Sequence, residues 1–248
     1  MRSGTSLLLQ LIRIEDGTEQ GAPVELDVTP FFHSASPDTW YDVPFYAKFC
    51  WSSLLGHPEL FLSQGDFLFS FRFRANGSTT LAGMDILRRV WNRGASSPTW
   101  GVTGICCSSS HVYVSSRVSV TSFSIDGLDN DLTTIVVEPD TLFELPPAAA
   151  TRNDAVDHIL EGIACDPTDD WVAFASRNQN CVFVLCSRPP FPRSTRTYMA
   201  GGSLVEPFEV ALMPSHLYVL DSAEGSDRLV VIDRATDAPL QVLRLGPP

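Results

Sequence analysis

Lysine is nearly missing from these 248 residues: Lys48 is the only one, and the other cationic side chains are arginines. A Schiff-base mechanism would have to rest on that single amine. Positive charge is scarce altogether, with 17 Lys and Arg against 29 Asp and Glu, a net charge of −12 and a pI near 4.7. Such a field repels phosphate backbones and anionic membrane surfaces, so neither nucleic acid nor membrane is an expected partner. Nowhere do about 18 uncharged apolar residues follow one another, so no membrane-spanning helix is expected. The run Ser6-Leu7-Leu8-Leu9 is broken by Gln10 and Arg13, meets Glu15-Asp16 and lacks a small-residue cleavage site. It reads as a strand, not as a secretory signal.

Chemical motifs are missing too. There is no phosphate loop, nucleophile elbow, dinucleotide fingerprint or zinc-protease helix, and nucleophilic catalysis finds no support. What remains is an ordinary globular composition, 44% hydrophobic and 19% charged, long enough to build a core without metals or disulfides.

The informative feature is internal repetition. From Pro207 the chain reads PFEVALMPS, HLYVLDSAEGSD, RLVVIDRATDA and PLQVLRLG, four β-type runs separated by turn clusters. We label such runs a, b, c and d. The preceding stretch repeats the order with GIACDPTDD, WVAFASRNQN, CVFVLCSR and TRTYMAGG. One unit earlier come GVTGICCSSS, HVYVSS, VSVTSFSIDG and the apolar run Leu132 to Val137; before that stand FYAKFCWSSLLG, ELFLSQG, DFLFSFRFR and MDILRRVW. Ile105-Cys106-Cys107 with His111-Val112-Tyr113-Val114 aligns without a gap on Val210-Ala211-Leu212 with His216-Leu217-Tyr218-Val219, two units away.

This rhythm predicts one all-β domain, a β-propeller of four-stranded blades. A half-blade covers residues 5–28, and blades cover about 44–93, 99–145, 159–201 and 205–246. About four and a half blades are visible, which points to a fragment of a larger ring. Thr29 to Val43 and Glu138 to Asp157 are read as long connections, the latter around Pro146-Pro147.

The last unit, with Leu217-Tyr218-Val219, Asp221 and Arg228-Leu229-Val230-Val231, resembles the NHL and YVTN-type propeller repeats, as does Gly162-Ile163-Ala164-Cys165-Asp166-Pro167. The resemblance is specific over residues 160–246. Where it calls for the Asp of the second strand, Ser116 and Ser176 stand instead, and Cys181 takes the place of Arg228. The resemblance implies a propeller. It also implies, as the rival to a binding scaffold, a metal-dependent hydrolase or lyase with its site at the central channel.

The six cysteines lie inside apolar runs and are expected as buried free thiols, which favours the cytoplasm. Cys107 and Cys165 hold nearly equivalent places in successive inner strands, which would let them approach each other, but small residues packing near a crowded axis are the default reading. His111 and His216 occupy matching slots at the turn into strand b, while Asp166, Asp169 and Asp170 crowd the a–b turn of another unit. With Asp221 these are the candidate ligand- or partner-binding residues. The Asp126 to Asp131 cluster lacks the ligand spacing of a calcium loop and reads as a turn. The expected function is protein–protein interaction through the loop faces, without cofactor or metal.

Overall fold

The computed structural model describes residues 6–12, 17–27, 48–52, 59–64, 67–75, 81–91, 103–108, 110–115, 119–124, 140–144, 160–166, 171–187, 195–223 and 226–246. These form eighteen strands and no α-helix. A two-stranded antiparallel sheet holds β1 (Ser6–Ile12) and β2 (Glu19–Asp27). Four four-stranded sheets follow. The first comprises β3 (Lys48–Ser52), β4 (Glu59–Gln64), β5 (Phe67–Ala75) and β6 (Leu81–Trp91). The second comprises β7 (Gly104–Cys107), β8 (His111–Ser115), β9 (Ser119–Ser124) and β10 (Asp140–Glu144). The third comprises β11 (Leu160–Cys165), β12 (Trp171–Ser176), β13 (Cys181–Cys186) and β14 (Thr195–Tyr198). The last comprises β15 (Pro207–Leu212), β16 (His216–Ala223), β17 (Ser226–Asp233) and β18 (Pro239–Arg244). In each sheet every strand pairs antiparallel with its neighbour in sequence.

Alternation along each strand explains how the sheets stack. In β12, Val172 and Phe174 face the second sheet, whereas Ala173 and Ala175 face the last. Their partners in β13 divide the same way: Phe183 and Leu185 join Val172 and Phe174, while Val182 and Val184 join the alanines. A sheet covered on both faces must be apolar at every position, which is why these strands read as unbroken runs. The seam between the second and third sheets is aromatic, with Phe143 at 4.9 Å from Phe174 and 5.0 Å from Phe183 between ring centroids. The seam between the third and last sheets is aliphatic, closed by Val210, Leu212, Leu217, Val219, Val230 and Ile232.

The first strands β3, β7, β11 and β15 lie against one another in turn. Glycine permits this approach at two places. A Cβ on Gly104 would fall 3.1 Å from the Ile163 nitrogen, and one on Gly162 would fall 2.7 Å from the Glu209 Cα. The second is closer than a side chain tolerates and the first is tighter than most, so the inner strands approach backbone to backbone there.

Two expectations are corrected. The fourth strand of the second sheet is Asp140–Glu144, paired with β9, so part of the supposed 138–157 connection is ladder. The run Leu132 to Val137, read as that strand, lies outside the described residues, as do Thr29 to Val43 and the Asp126 to Asp131 cluster. The cysteines are also not uniformly reduced: Cys106, Cys165, Cys181 and Cys186 are free, but Cys107 is disulfide-bonded.

Phe174 is fully buried between two sheets, whereas Leu243 on the outermost strand is 43% exposed. Phe174→Ala is expected to cost about 3–5 kcal/mol of unfolding free energy in urea titrations, and Leu243→Ala less than about 0.5 kcal/mol. Similar small effects from both would contradict the two-sided burial.

Candidate functional site

The antiparallel course gives the stack two edges, one carrying the a–b and c–d turns and the other the b–c turns and the connections between sheets. At the first edge His111, Trp171 and His216 each open the second strand of their sheet. The two histidines share a local arrangement. Ser110 Oγ lies 2.6 Å from His111 Nδ1 and Ser215 Oγ lies 2.8 Å from His216 Nδ1. Each ring neighbours the tyrosine two residues on, Tyr113 at 5.9 Å and Tyr218 at 6.5 Å. Residues i and i+2 share a strand face, which is why the pattern recurs wherever the sequence reads Ser-His-x-Tyr. Asp166 sits at the same edge, 7% exposed, with its N–H donating to the Trp171 carbonyl at 2.8 Å. Asp169 and Asp170 lie outside the described residues.

The c–d turn of the last sheet is tightly tied. The Asp233 carboxylate accepts from the N–H groups of Ala235 at 2.7 Å and Thr236 at 3.0 Å. Those donors, Thr236 foremost and then Ala235, hold its carboxyl below the usual range, and nearby His216 acts in the same direction. Asp237, at φ +57°, turns its carboxylate back onto the N–H groups of Met199 and Ala200 at 3.1 and 3.0 Å. Arg234 donates to the carbonyls of Met213 and Pro214 at 2.8 and 3.0 Å and lies 5.9 Å from the Trp171 ring. Tyr198 donates its hydroxyl to the Arg234 carbonyl at 3.0 Å. Met199 and Met213, held by this frame, are 43% and 51% exposed.

Asp221 is at the opposite edge. Five residues along an extended strand from His216 is roughly 16–17 Å. Its fully buried carboxylate accepts from the N–H groups of Val205 at 3.0 Å and Glu206 at 2.8 Å, and from Arg228 Nε at 2.9 Å and Nη2 at 2.6 Å. Arg228 also donates to the Ser203 carbonyl. This latch fixes the connection that feeds β15. Nearby, Arg177 bridges Glu206 at 2.6 Å and Glu161 at 3.6 Å, and the Glu206 hydrogen bond raises the guanidinium further. In the third sheet the cross-strand pair corresponding to Asp221 and Arg228 is Ser176 and Cys181. Ser176 Oγ has no hydrogen-bond partner, and burial pushes the Cys181 thiol up to about 12.

Of the six residues picked out from sequence, the four that are described do not gather. His111, Asp166 and His216 share an edge, Asp221 serves the other, and among the described residues no three His, Cys, Asp or Glu side chains are grouped to hold a metal. Sequence reasoning missed Arg177 with Glu206, whose separation of 29 residues leaves no local signal, and Asp237, which the Arg-Ala-Thr-Asp turn cluster does flag.

No protein-family model matches the chain, and no curated protein matches it in sequence. Solved structures do resemble it. A chain of a nidogen/laminin complex is 15% identical over 79% of this chain and 62% of its own length, with a TM-score of 0.51. A functionally unknown protein of Desulfotomaculum acetoxidans is 11% identical over 83% and 58%, with a TM-score of 0.54. A protein of Bacteroides uniformis, assigned by its name to the 6-phosphogluconolactonases, is 12% identical over 100% and 67%, with a TM-score of 0.55. The fold is a β-propeller. At these identities the likeness carries the fold alone, and the chain spans less than two thirds of the length of the first two structures. The four-stranded sheets are its blades.

Asp221→Asn keeps the shape of the latch and removes its charge. The expected loss is about 2–3 kcal/mol in chemical denaturation, below the figure for a fully buried pair because Arg228 is 20% exposed. An unchanged midpoint would mean that the carboxylate does not hold the connection.

Proposed function

We propose that the chain is a non-catalytic interaction scaffold that binds another protein through the edge carrying the a–b and c–d turns. The observation that carries this reading is a continuous hydrogen-bonded frame presenting exposed apolar side chains. It runs from Asp237, which also holds the N–H of Met199 in the connection after β14, through Asp233 and Arg234 to Met213, whose N–H donates to the His216 carbonyl at 3.0 Å. Methionine and arginine are enriched at protein interfaces, and fixing their backbone in advance lowers the ordering cost of association. His111, His216 and Asp166 belong to the same edge and extend the surface, and Asp169 and Asp170 follow Asp166 in sequence. The nidogen/laminin complex is an instance of a similar fold within a protein assembly.

The rival reading, a metal-dependent hydrolase or lyase working at the channel, draws on the similarity to the Bacteroides uniformis protein. It requires His111, His216, Asp166 and Asp221 to converge. Asp221 is engaged in its latch and faces the other edge, which weighs against that ligand set.

The cytoplasm suits the four free cysteines, whereas the disulfide at Cys107 weighs toward an oxidising compartment. No helix among the described residues is long and apolar enough to cross a membrane, and the acidic charge argues against nucleic acid.

Affinity capture from lysate followed by binding measurements on the captured protein tests the reading. Met213→Glu is expected to weaken the complex at least about tenfold, and Val205→Glu, at the other edge, to leave it unchanged. Equal binding by both variants would overturn the assignment of the face. Turnover of a lactone or ester by purified chain carrying stoichiometric zinc or calcium would overturn the scaffold reading itself.

A further inference from the structure

β7 has an inner-strand neighbour on each side, β3 and β11. Successive residues of a strand point to opposite sides, so Cys106 and Cys107 cannot serve the same neighbour. Position alone would let Cys107 approach Cys165, because the two hold nearly equivalent places in their strands. The structure places Cys106 on the side of Cys165 instead: both lie on the seam between the second and third blades, where β7 and β11 are neighbours, and the Cys165 thiol is near enough to act on the Cys106 sulfur. Both are free, and both pack on one apolar cluster with Tyr113, Leu160, Ile163 and Phe174. Cys106 is buried, whereas Cys165 is partly exposed.

We propose that Cys106 and Cys165 form a closable dithiol, a modification site at which a low-molecular-weight disulfide such as oxidised glutathione converts the thiol pair into a disulfide stapling β7 to β11. Cys165 is the sulfur that meets the reagent in this scheme, because its residue is the more exposed of the two. Its thiolate attacks one sulfur of the reagent, releases the other half as a thiol, and leaves a mixed disulfide on Cys165. Cys106 then gives up its proton and attacks the Cys165 sulfur, expelling the second half of the reagent. Two protein thiols lose two electrons and two protons, and one reagent disulfide becomes two thiols.

The surroundings set the order of events. Burial, the Cys165 thiol and the Glu209 carboxylate all disfavour a thiolate at Cys106. Cys106 therefore stays protonated while Cys165 is unmodified, and acts as the resolving sulfur once a mixed disulfide stands next to it. Closure would join two blades at the inner strands, where Gly104 lets β7 approach Ile163 of β11.

The test is a thiol count on the full chain. Native protein is incubated with oxidised glutathione, denatured, alkylated and mapped by peptide mass spectrometry, with and without prior dithiothreitol. The expected result is loss of two alkylatable thiols, recovery of both by dithiothreitol, and a linked peptide pair carrying Cys106 and Cys165. Cys181 and Cys186 should remain fully alkylatable. Cys165→Ser should abolish the loss. Cys106→Ser should stop the reaction at a mixed disulfide on Cys165, and the wild-type peptide map decides the matter even if that buried variant folds poorly. Retention of both thiols in the wild type, a persistent mixed disulfide at Cys165, or linkage of Cys165 to Cys107 would each overturn the proposal.

Discussion

A sheet that is apolar on both faces must be covered on both faces, and this constraint organises the molecule. β12 and β13 show it most plainly: phenylalanines and Leu185 project to one side, alanines and valines to the other, and neither side faces water. Each fully buried large side chain contributes about 1.5–3 kcal/mol relative to exposure, so the stability of a blade resides largely in its seams with its neighbours. Hairpin hydrogen bonds fix the register within a blade, and the seams then fix one blade against the next. The polar latches are additions to this plan. Asp221 and Asp237 tie the loops down where backbone N–H groups would otherwise lack partners.

The inner and middle strands were legible in the sequence for that same reason. Runs such as WVAFA and CVFVL carry the signature of two-sided burial, and the alignment of Ser176 and Cys181 with Asp221 and Arg228 matches the cross-strand pairs of the structure. The outer strands were harder to read because they are not buried. Three of the four residues of β14 are exposed, and every residue of β18 is, so burial leaves no pattern on them. At β10 the more apolar Leu132 to Val137 run drew the assignment away from Asp140–Glu144, although Phe143 is the residue that reaches the third blade.

The candidate site was read less well, for a geometric reason. Composition marks a histidine or an aspartate as chemically able, but the edge of the blade it occupies depends on its position along the strand. His216 and Asp221 are close in sequence and serve opposite edges. The cysteines show the same limit. Nearly equivalent strand positions would let Cys107 approach Cys165, whereas the pleat brings Cys106 to that side. The two edges consequently divide the work: one is knitted by Asp221, Arg228, Arg177 and Glu206 into a support, and the other presents Met213 and His216, with Met199 of the connection after β14 tied to it through Asp237.

The contact between Phe143 and Phe174 is the most direct probe of the seams, because it joins different blades and depends on β10 as the fourth strand. A double-mutant cycle with Phe143→Ala and Phe174→Ala, read from urea unfolding, measures it. Direct packing between blades predicts a coupling energy of about 0.5–1.5 kcal/mol. Additivity of the two substitutions to within about 0.3 kcal/mol would show that the rings do not meet and would contradict the stacking of blades described above.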